Sequence, residues 1–355
     1  MQERHQPQIA MPERLLRTAI VPLCPVCESA KKTFSFSAED HLIALPGVFN
    51  YSECTDCGTV FQDPCVVHED LVNCYTGDYF THDASHAKPS YEGTSLRHRI
   101  RTSILHFADG SPNSTLPSSL FYAAARLFSM VPTVRKRARY GLPDELAATH
   151  HDGKCLEVGP GRGTELRLLR QIGWKAIGLD IDPVAAKVAE KSSGCRVHVG
   201  SISSADFGNE EFSLIYMNHV MEHLPDLRAS LTRCHEWLSA GGRLVLAYPN
   251  PRSLVNRMFG RFSPNWDAPR HLVIPPVNAI RQLLEELGFS KVYVTTCSCR
   301  VIALQGIARS YRAGNKGWGS ISHPTMMDRI IAVIERLAVA LRIPAGEEIR
   351  VTAVK

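Results

Sequence analysis

From about residue 152 onward, short apolar runs alternate with stretches of helical period. The runs fall at 154–158, 176–180, 196–199, 212–217, 243–248, 291–296 and 348–354. Between them, 164–172 reads as a helix, and Asp182 followed by Pro183 is an N-cap with proline at the first helical position. The stretch 227–238 is helical and predicted to stop at Gly241-Gly242, and 278–287 is predicted to stop at Gly288. Strands and helices in regular alternation predict an α/β fold, a doubly wound, seven-stranded Rossmann-like sheet with helices on both faces. Residues 300–345 exceed a hairpin loop and must contain helices. There Ile330, Ile334, Leu337 and Leu341 share one helical face with Ile331 beside them. Such a stripe predicts a core or dimer contact, with a membrane-surface or lid role as the alternative.

The first half of the chain is patterned differently. Phe34, Phe36, Leu42, Ile43 and residues 48–51 predict short strands between Cys24-Pro-Val-Cys27 and Cys54-Thr-Asp-Cys57-Gly58. Two CxxC knuckles 26 residues apart supply the four thiolates of a tetrahedral zinc site. Four protein ligands leave no open position, so the expected metal is structural. A redox role would need only one knuckle, and neither opens a helix. Cys65, Cys74, Cys155, Cys195, Cys234, Cys297 and Cys299 lack such spacing and are expected to be small buried hydrophobes. The organisation expected is a tail (1–20), a zinc ribbon (21–65), a helical linker or substrate-side cap (66–150) and the α/β domain (151–355) with its helical insertion. Helices are predicted at 95–107 and 120–130 in the linker, beside basic clusters at 97–101 and 135–139. These clusters read as solvated helix faces or as a surface for an anionic substrate or acidic membrane. No aromatics interleave them as a single-strand groove requires.

Composition changes this picture little. Of 355 residues, 44% are hydrophobic and 21% charged, which excludes wholesale disorder. A formal charge of +5 is too mild to demand a nucleic-acid partner. The N-terminal residues carry charges without an apolar h-region, and no apolar run reaches the ~18 residues that span a bilayer. A cytoplasmic protein is expected.

The chemistry centres on Leu156-Glu157-Val158-Gly159-Pro160-Gly161-Arg162-Gly163-Thr164. Glycines at a strand-to-helix turn let the backbone approach a ligand, and Asp180, about 20 residues on, is spaced to hydrogen-bond ribose. A dinucleotide fingerprint needs its third glycine at the sixth position, where Thr164 stands. Glu157 would repel a pyrophosphate yet suits a cationic amino-acid head group. Ribose, no phosphate and a positive charge describe S-adenosylmethionine (SAM), and a nicotinamide-dependent dehydrogenase is disfavoured.

These residues resemble class I SAM-dependent methyltransferases. The resemblance implies that Glu157, Gly159, Gly161 and Gly163 face the methionine moiety and Asp180 the ribose. It implies that Ser201 and Ile202 border the adenine, while Asn218 and His219 close the donor side. The run Asn218-His219-Val-Met-Glu222-His223-Leu-Pro-Asp226, with residues 243–250 and 266–272, resembles the ubiquinone-type O-methyltransferase subgroup. The knuckles, followed by 60–64 and Tyr79-Phe80, resemble bacterial enzymes of surface-polysaccharide or modified-sugar pathways. A hydroxyl acceptor needs a base, and His219 and His271 are the candidates. Glu222 and His223 could bind a divalent ion, but neighbours on one helix point apart, which favours structural or donor-side contacts. Asp267 and Arg270 are placed to hold a polar substrate. The expected acceptor is a sugar or glycan oxygen; the alternatives are a small phenolic or lipid-like substrate, or a zinc-ribbon nucleic-acid-binding protein whose methyltransferase domain acts on RNA or is inactive. Nucleic acid is the less favoured partner, and peripheral membrane contact is a further possibility.

Overall fold

The computed structural model describes residues 16–75, 96–109, 119–131, 134, 146, 153–207, 212–317 and 322–355. Tyr79, Phe80 and the cluster at 135–139 lie outside them.

The N-terminal strands are β1 (Thr18–Ala19), β2 (Lys32–Ala38), β3 (Phe49–Cys54), β4 (Val60–Gln62) and β5 (Cys65–Val66). Helices α1 (Leu96–Asp109) and α2 (Ser119–Ser129) follow. The second half runs β6 (Lys154–Val158), α3 (Thr164–Gln171), β7 (Lys175–Asp180), α4 (Pro183–Ser193), β8 (Val197–Val199), β9 (Phe212–Asn218) and α5 (Leu227–Trp237). It continues with β10 (Leu238–Pro249), α6 (Leu254–Phe259), β11 (Val273–Ile274), α7 (Val277–Glu286), β12 (Ser290–Cys297), α8 (Val301–Arg312), α9 (Met326–Ala340) and β13 (Glu348–Val354).

Seven strands form the main sheet in the order β12-β13-β10-β9-β6-β7-β8. Pairings from β8 to β10 are parallel, and β13 runs antiparallel to both neighbours. The central strands are apolar on both faces because helices cover both. α1 and α2 belong to this packing: Ile104, Leu105 and Ala125 join Leu168, Leu169, Trp174, Leu214 and Val245 in one buried cluster. Chain order reverses between β6 and β9, and a ligand crevice forms beyond the carboxyl ends of strands at such a switch point.

Local signals account for several helix ends. Asp182 accepts from the Val184 amide at 2.8 Å to cap α4, which ends at Gly194 in the left-handed region. Helix α5 is a correction: it ends at Trp237, and Gly241-Gly242 instead lie within β10 where its register against β9 shifts. The stripe on α9 corrects the core reading alone. Ile330, Ile334, Leu337 and Leu341 are solvent-exposed, and Ile331 and Ala332 face inward with Asp328 and Glu335. The inward carboxylates are held: Asp328 pairs with Arg309 and closes a capping box with Thr325, and Glu335 accepts from the Glu347 amide at 3.2 Å.

The cysteine-bearing strands do not stand alone. β2, β3 and β4 form a sheet whose fourth strand is β11, with Val273 opposite Phe61 and Ile274 opposite Val60. The Tyr51 hydroxyl donates to the His271 carbonyl at 3.0 Å, and the Gln62 amide to the Leu272 carbonyl at 2.8 Å. Tyr51, Phe61 and Val60 share one apolar core with Leu156, Met217 and Leu246 of the main sheet.

Candidate active site

The sheet register sets Val158 opposite both Leu179 and Met217, so Gly159, Asp180 and Asn218 emerge side by side at the carboxyl ends of three strands. Gly159, Gly161 and Gly163 all have positive φ, at 66°, 52° and 70°. A Cβ on Gly159 would come within 2.5 Å of the Val220 side chain, and one on Gly163 within 2.5 Å of the Ala189 carbonyl oxygen. Only glycine fits either place.

Around this turn the structure gathers carboxylates. Glu157 is buried, and its Oε2 has no hydrogen-bond partner. Burial, then the nearby charges of Glu165 and Asp180, push its pKa well above the usual carboxylate range. Glu165, in the first turn of α3, receives the Asn218 amide nitrogen on both oxygens at 3.0 Å. Asp180 is buried and accepts from the Asp182 amide at 3.0 Å. An anionic pocket with an unsatisfied buried oxygen, beside a turn cleared of side chains, fits a ligand carrying positive charge. Ser201 lies just beyond β8, its hydroxyl 2.8 Å from that of Ser203. Ile202 is buried in the main core rather than open to solvent.

On the other side of Asn218, His219 adopts φ 54°, a left-handed conformation rare for a side chain of this size. Its Nδ1 lies 3.3 Å from Glu222 and its Nε2 3.2 Å from Glu348. Arg300 crowds the same Nε2 and opposes the charge. Burial also disfavours the cation, yet the two carboxylates outweigh both effects and raise His219 to about 9. The imidazole therefore carries a proton at neutral pH.

The second histidine is set differently. His271 is buried, and its Nδ1 donates to the Asn265 carbonyl at 2.8 Å. That bond leaves Nε2 as the acceptor nitrogen, 3.7 Å from Glu222 and 3.9 Å from Asp267. His223 packs edge-on against it, with ring centroids 4.6 Å apart. Burial first, then His271, lowers His223 to about 4, so this ring is neutral. Its Nδ1 is 3.0 Å from both the Tyr75 hydroxyl and the Arg270 carbonyl. Glu222 and His223 share a short 3-10 turn and meet with His271, their donor atoms within 4.8 Å of one another. Neighbours expected to point apart thus converge, and they form a set able to hold a divalent ion.

Arg270 is wholly buried and makes two fork-shaped pairs. It donates to both oxygens of Asp40 at 2.8 and 3.1 Å and to both of Asp267 at 2.7 and 3.0 Å. Its role here is to join the cysteine-bearing strands to the loop that carries His271. Glu165, Glu348, Arg300, Tyr75 and Asn265 were not singled out from sequence. Only Glu165 carried a local signal, an acid in the first turn of the helix after the glycines; Glu348 meets His219 across 129 positions.

The four knuckle cysteines converge as their spacing predicts. Cys24 and Cys57 sulfurs are 3.6 Å apart, those of Cys27 and Cys54 3.5 Å, and all four lie within 4.8 Å of one another. A ZnS₄ tetrahedron with bonds of about 2.3 Å has edges of roughly 3.8 Å. The donor set fits zinc.

A family model described as a methyltransferase domain matches residues 133–294, which contain the glycine turn, Asp180, Asn218 and both histidines. A probable S-adenosylmethionine-dependent methyltransferase of Mycolicibacterium smegmatis is 25% identical over 51% of this chain and 69% of its own. The chain carries a class I SAM-dependent methyltransferase domain. A ubiquinone biosynthesis O-methyltransferase of Cereibacter sphaeroides is 27% identical to this methyltransferase over 30% of the chain and 46% of its own. The alignments thus span about half to two thirds of the curated relatives. A crystal structure of a SAM dependent methyltransferase from Archaeoglobus fulgidus, 22% identical, covers 63% of this chain and 93% of that one with a TM-score of 0.42. Among the described residues, no helix is long and apolar enough to cross a membrane.

Proposed function

We propose that the enzyme transfers a methyl group from SAM to a hydroxyl oxygen of a sugar or glycan intermediate. One observation carries the reading: His271, its Nδ1 fixed by the Asn265 carbonyl, turns Nε2 toward Glu222, the same carboxylate that meets His219 beside Asn218. Glu157, Gly159, Gly161 and Gly163 would hold the methionine moiety and Asp180 the ribose, with Ser201, Ile202 and Asn218 at the remaining edges. SAM supplies an electrophilic methyl group on a good leaving group, so the protein's work is alignment and proton removal. His271 Nε2 would take the proton of the acceptor hydroxyl as that oxygen receives the methyl group. His219, already protonated, is suited to fix the donor side. Tyr75, His223 and Asp267 surround His271 with polar groups, which suits a polyhydroxylated acceptor. Cys24, Cys27, Cys54 and Cys57 would hold a structural zinc, whose part is to keep the strands carrying Tyr51 and Gln62 under the His271 loop.

A second reading, O-methylation of a phenolic or lipid-like substrate, is favoured by the names of the ubiquinone-pathway relatives. Methyl-labelled SAM offered with nucleotide sugars and with catechols separates the two. Label in sugars is the expected result; label in catechols alone overturns the assignment. His271→Gln should lower turnover by about 10²–10⁴ while leaving S-adenosylhomocysteine affinity unchanged.

A further inference from the structure

Helix α9 carries its large apolar side chains on the face turned away from the protein. Met326, Ile330, Val333, Ile334, Leu337 and Leu341 are 79, 43, 53, 53, 58 and 74% exposed. At steps of three and four they make one continuous stripe. The helix is 15 residues long, so the stripe runs roughly 20 Å. Isolated exposed leucines are ordinary on soluble proteins, but a contiguous row of this size marks an interaction surface.

The charges on the helix identify the partner. Both carboxylates, Asp328 and Glu335, are turned inward and buried. The exposed charges are Arg329 and Arg336, with Arg342 just past the helix end. The outward surface is therefore apolar and cationic, with no carboxylate. An amphipathic helix of that composition lies in the plane of a lipid interface, apolar side chains at the acyl boundary and arginines at anionic head groups. A second copy of the chain fits less well, because symmetric pairing would set arginine against arginine with no acid to receive either.

We infer that α9 docks the methyltransferase on an anionic lipid surface. The docked helix is tied to the active site. Glu335 accepts from the Glu347 amide at 3.2 Å, and the next residue, Glu348, meets His219 Nε2 at 3.2 Å. These contacts link the inward face of α9 to the strand end that meets His219.

Co-sedimentation of the full chain with phosphatidylglycerol-containing vesicles and with pure phosphatidylcholine vesicles tests this, with light scattering of the lipid-free protein alongside. The expected result is a monomer that partitions to the anionic vesicles and is released by salt. The double variant Ile334→Asp/Leu337→Asp should lower partitioning by about ten-fold or more. Both positions are exposed, so circular dichroism and SAM affinity should be unchanged. Equal binding to neutral vesicles overturns the charge assignment, and failure to bind either overturns the proposal. A dimer in solution that the double variant converts to monomer assigns the stripe to a second copy instead.

Discussion

Replacing Glu157 by glutamine should move stability and ligand affinity in opposite directions. The Glu157 carboxylate is 2% exposed, its Oε2 is unpartnered, and Glu165 and Asp180 stand nearby. Its pKa is raised in the folded chain, by burial above all. In the unfolded chain it ionises near its ordinary value. Stability without ligand therefore falls as pH rises from that ordinary value through the raised one. An unsatisfied buried acceptor costs about 1–3 kcal/mol, and Glu157→Gln makes the side chain neutral at every pH. The ligand-free variant should gain most of that at pH 7 and melt roughly 2–6 °C higher. The same change deletes the carboxyl group that the proposed function sets against the ligand's ammonium group. A hydrogen bond to a charged group contributes about 1.5–3 kcal/mol, so SAM should bind about 10–100-fold more weakly. Thermal melts without ligand at pH 5 and pH 8, paired with calorimetric titration of S-adenosylhomocysteine, read both effects. A variant that melts lower and binds as tightly as the parent would refute the reasoning and make Glu157 a structural acid.

Arg270→Ala leaves the buried Asp40 without its counter-charge, held only by the amides of Leu42, Ile43 and Leu45, and should cost about 3–5 kcal/mol in chemical denaturation; a loss under 1 kcal/mol would show that those amides and water suffice. His219, raised to about 9, contributes stability that is fully present below its unfolded value of about 6.5 and is lost as pH rises through 9. Denaturant titrations at pH 6.5 and 9.5 should show that loss in the parent and a flatter profile in His219→Gln; equal slopes would disconnect the imidazole from Glu222 and Glu348. Cys54→Ser should lower zinc content and melting temperature together, and chelation of the parent should reproduce the drop. Full zinc occupancy in that variant would remove Cys54 from the metal site.

The main sheet was legible because strands buried on both faces are apolar without interruption. The central strands β9 and β10 stood out in this way, whereas the edge strands β8 and β12 are mostly half-buried or exposed and β13 mixes apolar with polar residues. The turn at Gly159–Gly163 was legible for a related reason, since close backbone approach leaves a gap in side-chain pattern that little else mimics. Where two signals competed, reading by spacing failed. Gly241-Gly242 resembles a helix stop, but strand pairing with β9 captured the segment from Leu238 onward. On α9, period identified the helix but not its orientation, because burial of Asp328 and Glu335 depends on Arg309 and the Glu347 amide, and neither contact leaves a mark in the helix itself. The surroundings of the histidines were the least legible part. Asn265, Tyr75 and Glu348 reach them from three separate segments, and no local pattern encodes such a meeting.

The two residues Val273 and Ile274 also set a timetable for folding. Strand β4 has its edge closed only by β11, which leaves the ribosome more than 200 residues later. At about 5–20 residues per second, the cysteine-bearing hairpin waits on the order of 10–40 s with that edge unpaired. During this interval a metal held by the four thiols would give the hairpin order before the strand that closes it exists. The thiols must therefore load early or remain open to oxidation and to pairing with other nascent chains. Grafting the segment onto another enzyme would leave it permanently in that waiting state unless the equivalent of Val273–Ile274 travelled with it.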